Sequence, residues 1–241
     1  MNDERATEEV RARLAVALDV PTLAEALDLA KQVEPWFGVA KVGMELFTAE
    51  GPRAVEGLRD TGLDVFYDAK YHDIPTTVGR AARVAGRLGI RYLNAHAAGG
   101  IEMLRAFAEG LAEGADDGGH APPVALAVTV LTSDADASAF EARLATAVEA
   151  GCGGVVLSAH ELERARAGAP GLLTVVPGIR PVGASRDDQA RAATPGVAVS
   201  DGADVLVVGR PVTRADDVAQ AAAAVAAEVA ATLAKGSATP G

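Results

Sequence analysis

Charged side chains stand where apolar runs end or are interrupted. Asp19 closes the run LAVALD, Lys41 sits inside VAKVG, and Asp68 and Lys70 stand two residues apart in DAKYHDIP. Burying an ion costs several kcal/mol unless it is paired. The economical reading is that these four charges face one another around one pocket; separate buried salt bridges are the plainer alternative. Residue choice points to chemistry. The chain has 22 Lys+Arg, only four of them lysines, and two of those four, Lys41 and Lys70, fall at predicted strand ends. Lysine, unlike arginine, can exchange a proton in catalysis.

A second group fits an anion. DVLVVGRP places Gly209 and Arg210 at the end of an apolar run, and PGIRP places Arg180 at the end of the run before it. Glycine lets a backbone N–H approach an anion closely, and arginine grips phosphate with two parallel donors. The polar stretch 181–191, with Gly183, Ser185 and Gln189, is long enough to close over a ligand as a lid.

These residues need a scaffold. Short, nearly continuous apolar runs at 14–18, 39–43, 65–68, 92–95, 124–130, 154–158, 173–177 and 205–209 read as strands buried on both faces. Helical stretches follow at 22–33, 48–61, 76–88, 100–114, 136–150, 159–167, 194–201 and 215–234. Thr22 is placed to start a helix, and Gly62, Gly89, Gly114 and Gly151 to stop one. Eight strand–helix units imply parallel pairing and closure into a single-domain α/β (β/α)8 TIM barrel, for which 241 residues is an ordinary length. No GxGxxG follows the first strand to favour an open dinucleotide-binding sheet. The barrel is expected over 1–234 with a short N-terminal helical extension, then a surface loop at 115–123 inside it and a disordered tail at 235–241. Active sites in such barrels lie at the C-terminal strand ends. That rule selects Asp19, Lys41, Asp68, Lys70, Asn94, His96, Thr132, Arg180, Gly209 and Arg210.

Composition narrows the partners. The formal net charge of −11 disfavours nucleic acid, which needs a basic surface. The single cysteine, Cys152, excludes an intrachain disulfide and reads as a buried thiol; no Cys/His cluster suggests a metal. The charged N-terminus has no apolar core of a secretory signal, and the run 219–233 is interrupted by Gln220 and Glu228, so no membrane partner and a cytoplasmic location are expected.

DAKYHDIP resembles the DxKxxDIP signature of the orotidine 5′-phosphate decarboxylase family. LDV at Asp19, KVG at Lys41, NAHAAGG from Asn94, AVTVLTS, PGIRP and VVGRPVT are similar to family segments in the same order. DxKxxD alone marks a wider superfamily that includes magnesium-dependent sugar-phosphate enzymes, which carry an acidic residue where Lys41 stands. The resemblance implies decarboxylation of orotidine 5′-phosphate to UMP without cofactor or metal. It implies that Asp19 and Lys41 hold ribose hydroxyls, that Asp68 lies against the substrate carboxylate and that Lys70 protonates C6. It also implies a homodimer in which Asp73, with Ile74 and Thr77, reaches the neighbouring subunit's site; a helix cap is the plainer role for Asp73. Thr132 would meet the pyrimidine edge and Gln189 would lie between phosphate and base. Arg180, Gly209 and Arg210 would take the phosphate. His72 and His96 are expected at the interface and the barrel mouth, without a proton-transfer role.

Overall fold

The computed structural model describes residues 5–131, 137–181 and 193–237. Its strands are β1 (Leu14–Ala17), β2 (Val39–Val42), β3 (Asp64–Tyr71), β4 (Tyr92–His96), β5 (Val124–Val128), β6 (Gly154–Val156), β7 (Leu173–Val176) and β8 (Val205–Val208). They close into a parallel barrel in sequence order, β8 pairing back onto β1 through Val16 and Val208. The helices are α1 (Glu8–Ala12), α2 (Leu23–Val33), α3 (Met44–Glu50), α4 (Pro52–Arg59), α5 (Pro75–Gly86), α6 (Gly100–Asp117), α7 (Phe140–Glu149), α8 (Leu162–Gly168), α9 (Pro195–Ser200), α10 (Arg210–Thr213) and α11 (Val218–Ser237).

Strand parity divides the core in two. Ala15 and Ala17, Val39, Phe66, Tyr92, Leu126 and Val128, Val156, Val175, Val205 and Val207 point into the lumen and pack on one another. The alternate residues, among them Val16, Ala40, Val65, Leu93, Val155 and Leu206, pack outward beneath the helices. Side chains along a strand alternate faces. Lys41 therefore shares the lumen face with Val39, Asp68 with Phe66, and Asn94 with Tyr92. The polar residues form the layer above the apolar one, at the C-terminal mouth. At the opposite end of β7 and β8, Arg166 of α8 donates to Asp204 at 2.6 Å and to Thr174 Oγ1 at 3.0 Å, fastening the two strands that carry the Gly-Arg and PGIRP turns.

Several element boundaries differ from those expected. The helix expected at 48–61 is two, α3 and α4. Gly51 adopts φ 61° between them, and Pro52, which cannot donate a backbone hydrogen bond, starts the second. β3 runs to Tyr71, so Lys70 lies within a strand and not beyond it. α7 begins at Phe140, four residues after the expected start. α11 reaches Ser237, past the expected tail boundary at 235. By length and composition α11 could cross a membrane. Its stripe of Ala222, Val225, Ala226 and Val229 is nevertheless buried in the outer core.

Gly114 does not stop a helix, and the loop expected from 115 begins after Asp117. A Cβ on Gly114 would overlap the Arg83 carbonyl oxygen, and one on Gly110 the Gly79 carbonyl oxygen. The glycines are there to let α5 and α6 touch backbone to backbone. That contact seats α5, whose first turn follows Asp73 and Ile74. Gly110→Ala is expected to lower the unfolding free energy by about 2–3 kcal/mol, because two helices must separate. Gly171→Ala, where a Cβ meets nothing within 4 Å, should stay within about 0.5 kcal/mol in the same urea titration.

Candidate active site at the barrel mouth

β2, β3 and the loop after β1 bring the four predicted charges together. Lys41 Nζ lies 2.9 Å from Asp19 Oδ1 and 3.3 Å from Asp68 Oδ2, and Lys70 Nζ lies 2.5 Å from Asp68 Oδ1. The order Asp–Lys–Asp–Lys places each charge beside its opposite. Lys41 is buried between two carboxylates, while Asp19, in the loop after β1, is more than half exposed. Burial alone would push the Asp68 carboxyl up. The ammonium groups of Lys41 and Lys70, with hydrogen bonds from Lys70 and Asn94, outweigh burial and hold it below the usual carboxylate range. Lys41, Asp68 and Lys70 line a cavity of about 120 Å³ together with the apolar Val128, Val156 and Val207.

Lys70 has φ 52° and is the one described non-glycine residue with positive φ. That conformation costs a side-chain-bearing residue about 1–2 kcal/mol. It falls where the β3–β4 register slips. Tyr67 pairs with Leu93 and Tyr71 with Ala95, so three β3 residues, 68–70, stand opposite Asn94 alone. The bulge turns Asp68 and Lys70 toward the same cavity, although residues two apart on a regular strand are more widely spaced.

The other predicted residues take separate places. Pro177 and Val207 line the same cavity, so Arg180 and Gly209–Arg210 stand on the turns just beyond its wall. A Cβ on Gly209 would lie 3.4 Å from Ala17 Cβ, and Ala17 pairs with Lys41, which ties the Gly-Arg turn to the charge array through β1. Arg180 is buried. Asp73 is exposed on the turn before α5, where its Oδ1 accepts the Ile74 N–H at 2.8 Å; it is not the residue that caps the helix, since Ile74 holds that position. Ile74 is 66% exposed, and Thr77 is exposed beside it. Thr132 and Gln189, with residues 182–191 of the expected lid, lie outside the described residues. Cys152 is buried, and burial pushes its thiol up to about 12.

Two site residues went unassigned a role by sequence reasoning. Asn94 is fully buried: its Nδ2 donates to Asp68 Oδ1 at 2.7 Å and its Oδ1 accepts the Lys70 N–H at 2.7 Å. A polar residue at lumen parity, two after Tyr92, was the available signal. Gly43 is the other. A Cβ there would run into Asp19 Oδ1 and stand 3.1 Å from Lys41 Nζ, so the ion pair needs a bare backbone at this point. His96 packs against His72 with ring centroids 5.6 Å apart. Burial, then the charges of His72, Lys70 and Arg143, hold the His96 ring below the usual histidine range.

Comparison with known proteins agrees with this geometry. The model of the orotidine 5′-phosphate decarboxylase / HUMPS family matches residues 12–225. The orotidine 5′-phosphate decarboxylase of Anaeromyxobacter dehalogenans is 51% identical over 229 residues, covering 89% of this chain and 97% of that protein. That of Moorella thermoacetica is 46% identical over 231 residues, covering 90% and 92%. The crystal structure of orotidine 5′-phosphate decarboxylase from Lactobacillus acidophilus superposes with a TM-score of 0.75 at 33% identity, covering 90% of this chain and 98% of that one. With its closed barrel, its charge array at the mouth and relatives aligned over nearly their whole length, the chain belongs to the orotidine 5′-phosphate decarboxylase / HUMPS family.

Proposed function

We propose that this protein decarboxylates orotidine 5′-phosphate to UMP, without metal or organic cofactor. The observation that carries the reading is the convergence of Asp19, Lys41, Asp68 and Lys70 on one cavity. The C6–carboxylate bond breaks, CO2 leaves, and the electron pair stays on C6. Lys70 supplies a fixed positive charge where that pair develops and then gives C6 its proton, later regaining one from solvent. Asp68 lies against the departing carboxylate, which its own charge disfavours in the ground state. Asp19 and Lys41 hold ribose hydroxyls, and Arg180, Gly209 and Arg210 take the phosphate. Thr132 and Gln189 contact the base and the base–phosphate span. The Lys41 ammonium occupies the space between Asp19 and Asp68 where the magnesium of the sugar-phosphate enzymes would need anionic ligands. Loss of orotidine 5′-phosphate absorbance on adding the purified protein is expected at the same rate with and without EDTA. Absence of turnover would end the reading, and abolition by EDTA would favour the sugar-phosphate branch.

The proposal extends to a cytoplasmic homodimer in which Asp73, Ile74 and Thr77 complete the partner's site. Support comes from Met44, Ile74 and Leu131, which follow β2, β3 and β5 at the mouth and are 61%, 66% and 42% exposed. A two-fold contact covering them would make two equivalent shared sites. Lys70→Ala and Asp73→Ala are each expected to be nearly inactive alone. Mixed and reassorted in equal amounts, they should regain roughly a quarter of wild-type activity, since half the dimers are hybrids with one intact site of two. No recovery despite subunit exchange would place Asp73 in its own subunit's site.

A further inference from the structure

Between Tyr67 and Tyr71 the β3–β4 ladder is interrupted, and one side chain spans the gap. Asn94 accepts the backbone N–H of Lys70 with one end of its amide and donates to the Asp68 carboxylate with the other, both at 2.7 Å. The orientation of the amide follows from its partners, because the reverse would set its carbonyl against a carboxylate. Asp68 Oδ1 receives Asn94 Nδ2 and Lys70 Nζ together. Asn94 therefore grips Lys70 through its backbone directly and through its ammonium by way of Asp68. The left-handed turn at Lys70 has a partner for its N–H that a regular strand neighbour would otherwise supply.

We propose that Asn94 is a positioning residue for the decarboxylation: it holds the bulge at 68–70 in register so that the Lys70 ammonium and the Asp68 carboxylate meet the reacting carbon as one unit. The inference rests on the roles given to Lys70 and Asp68 above. The side-chain hydrogen bonds of Asn94 go to Asp68 and Lys70, the two residues given the chemical step, so its loss is expected to act on that step and to leave nucleotide binding in place. A displacement near 1 Å at reacting groups costs on the order of 10²-fold in rate.

The test compares Asn94→Leu, Asn94→Asp and Lys70→Ala with wild type, using kcat and KM for orotidine 5′-phosphate, UMP binding by calorimetry and circular dichroism. Asn94→Leu fills the volume without hydrogen bonds; kcat is expected to fall by about 10²-fold with KM within a few-fold of wild type. Asn94→Asp keeps the shape but sets a second carboxylate against Asp68 at neutral pH. Once protonated, that acid has one donor and one acceptor, as the amide does. Its kcat should rise as pH is lowered, where Asn94→Leu shows no such recovery. The charged groups around the position are Asp68 and Lys70 on β3, Lys41 on β2, and His96 on β4 with His72 and Arg143 beside it. All of these are present in Asn94→Leu as well, so the difference between the two variant profiles isolates residue 94. Should Asn94→Leu fail to fold, the pH recovery of Asn94→Asp relative to wild type decides. Wild-type kcat in Asn94→Asp at neutral pH, a loss confined to KM, or a deficit in folded Asn94→Asp that ignores pH overturns the inference. Lys70→Ala separates the two levels: if it turns over like wild type, the reading of Lys70 has failed. If it is inactive while the Asn94 variants are normal, the positioning role alone has failed.

Discussion

Lys70→Ala is expected to reduce decarboxylation by about 10⁴-fold or more, because on the proposed mechanism one substitution removes both the fixed charge facing C6 and the proton that replaces CO2. UMP affinity should change by less than about tenfold, since the phosphate turns and the Asp19–Lys41 pair are untouched. The geometry explains the asymmetry. Lys70 Nζ contacts Asp68, whereas Lys41 Nζ bridges Asp68 and Asp19 and persists in the variant. Asp68 then keeps one ammonium neighbour of two and its hydrogen bond from Asn94, so the carboxylate stays paired and the mouth need not collapse. Single-turnover absorbance and UMP calorimetry on the same preparation check both halves. Turnover comparable to wild type would remove the mechanism, whatever the affinity.

Arg210→Ala should lower kcat/KM for orotidine 5′-phosphate by about 10²–10³-fold, the consequence of losing about 3–4 kcal/mol from a charge-assisted anion contact. Arg210 opens α10 directly after Gly209, beside the end of β1 and its pairing with Lys41. On the proposed reading the phosphate is held there, remote from C6, so that its binding energy serves orientation and closure as well as affinity. A phosphate-free substrate tells specific contact from general damage. With orotidine, wild type and Arg210→Ala should turn over equally, because the interaction removed is absent from both. Equal losses with both substrates would show that Arg210 supports the fold and not the phosphate. Arg210→Lys keeps the charge without the paired donors and should fall between the two.

How the site reads from sequence depends on the kind of information each residue carries. Lys41, Asp68 and Asn94 stand two positions after apolar lumen residues, so strand periodicity alone points them into the mouth. Arg210 and Arg180 are picked out in the sequence by their place at the ends of consecutive apolar runs, and their phosphate role stays with the proposal. Helix boundaries were less legible where one residue type serves two purposes. Gly51 breaks a helix by adopting positive φ, whereas Gly114 continues one so that a neighbouring backbone can approach. Composition does not separate those uses; the identity of the neighbour does.

The order of residue types along the chain determined the eight-fold alternation, the barrel and the strand ends at which charge collects, because those follow from periods of two and 3.6 and from the cost of burying ions. Tertiary structure alone decided how the charges pair. The Lys70 backbone turns left-handed at a bulge whose position depends on the register of β3 against β4, and Asn94 reaches both Asp68 and Lys70 only in that register. Gly43 matters only because Asp19 folds over it. Such contacts join residues more than twenty positions apart, and a distance between strands is set by packing, which no local pattern contains.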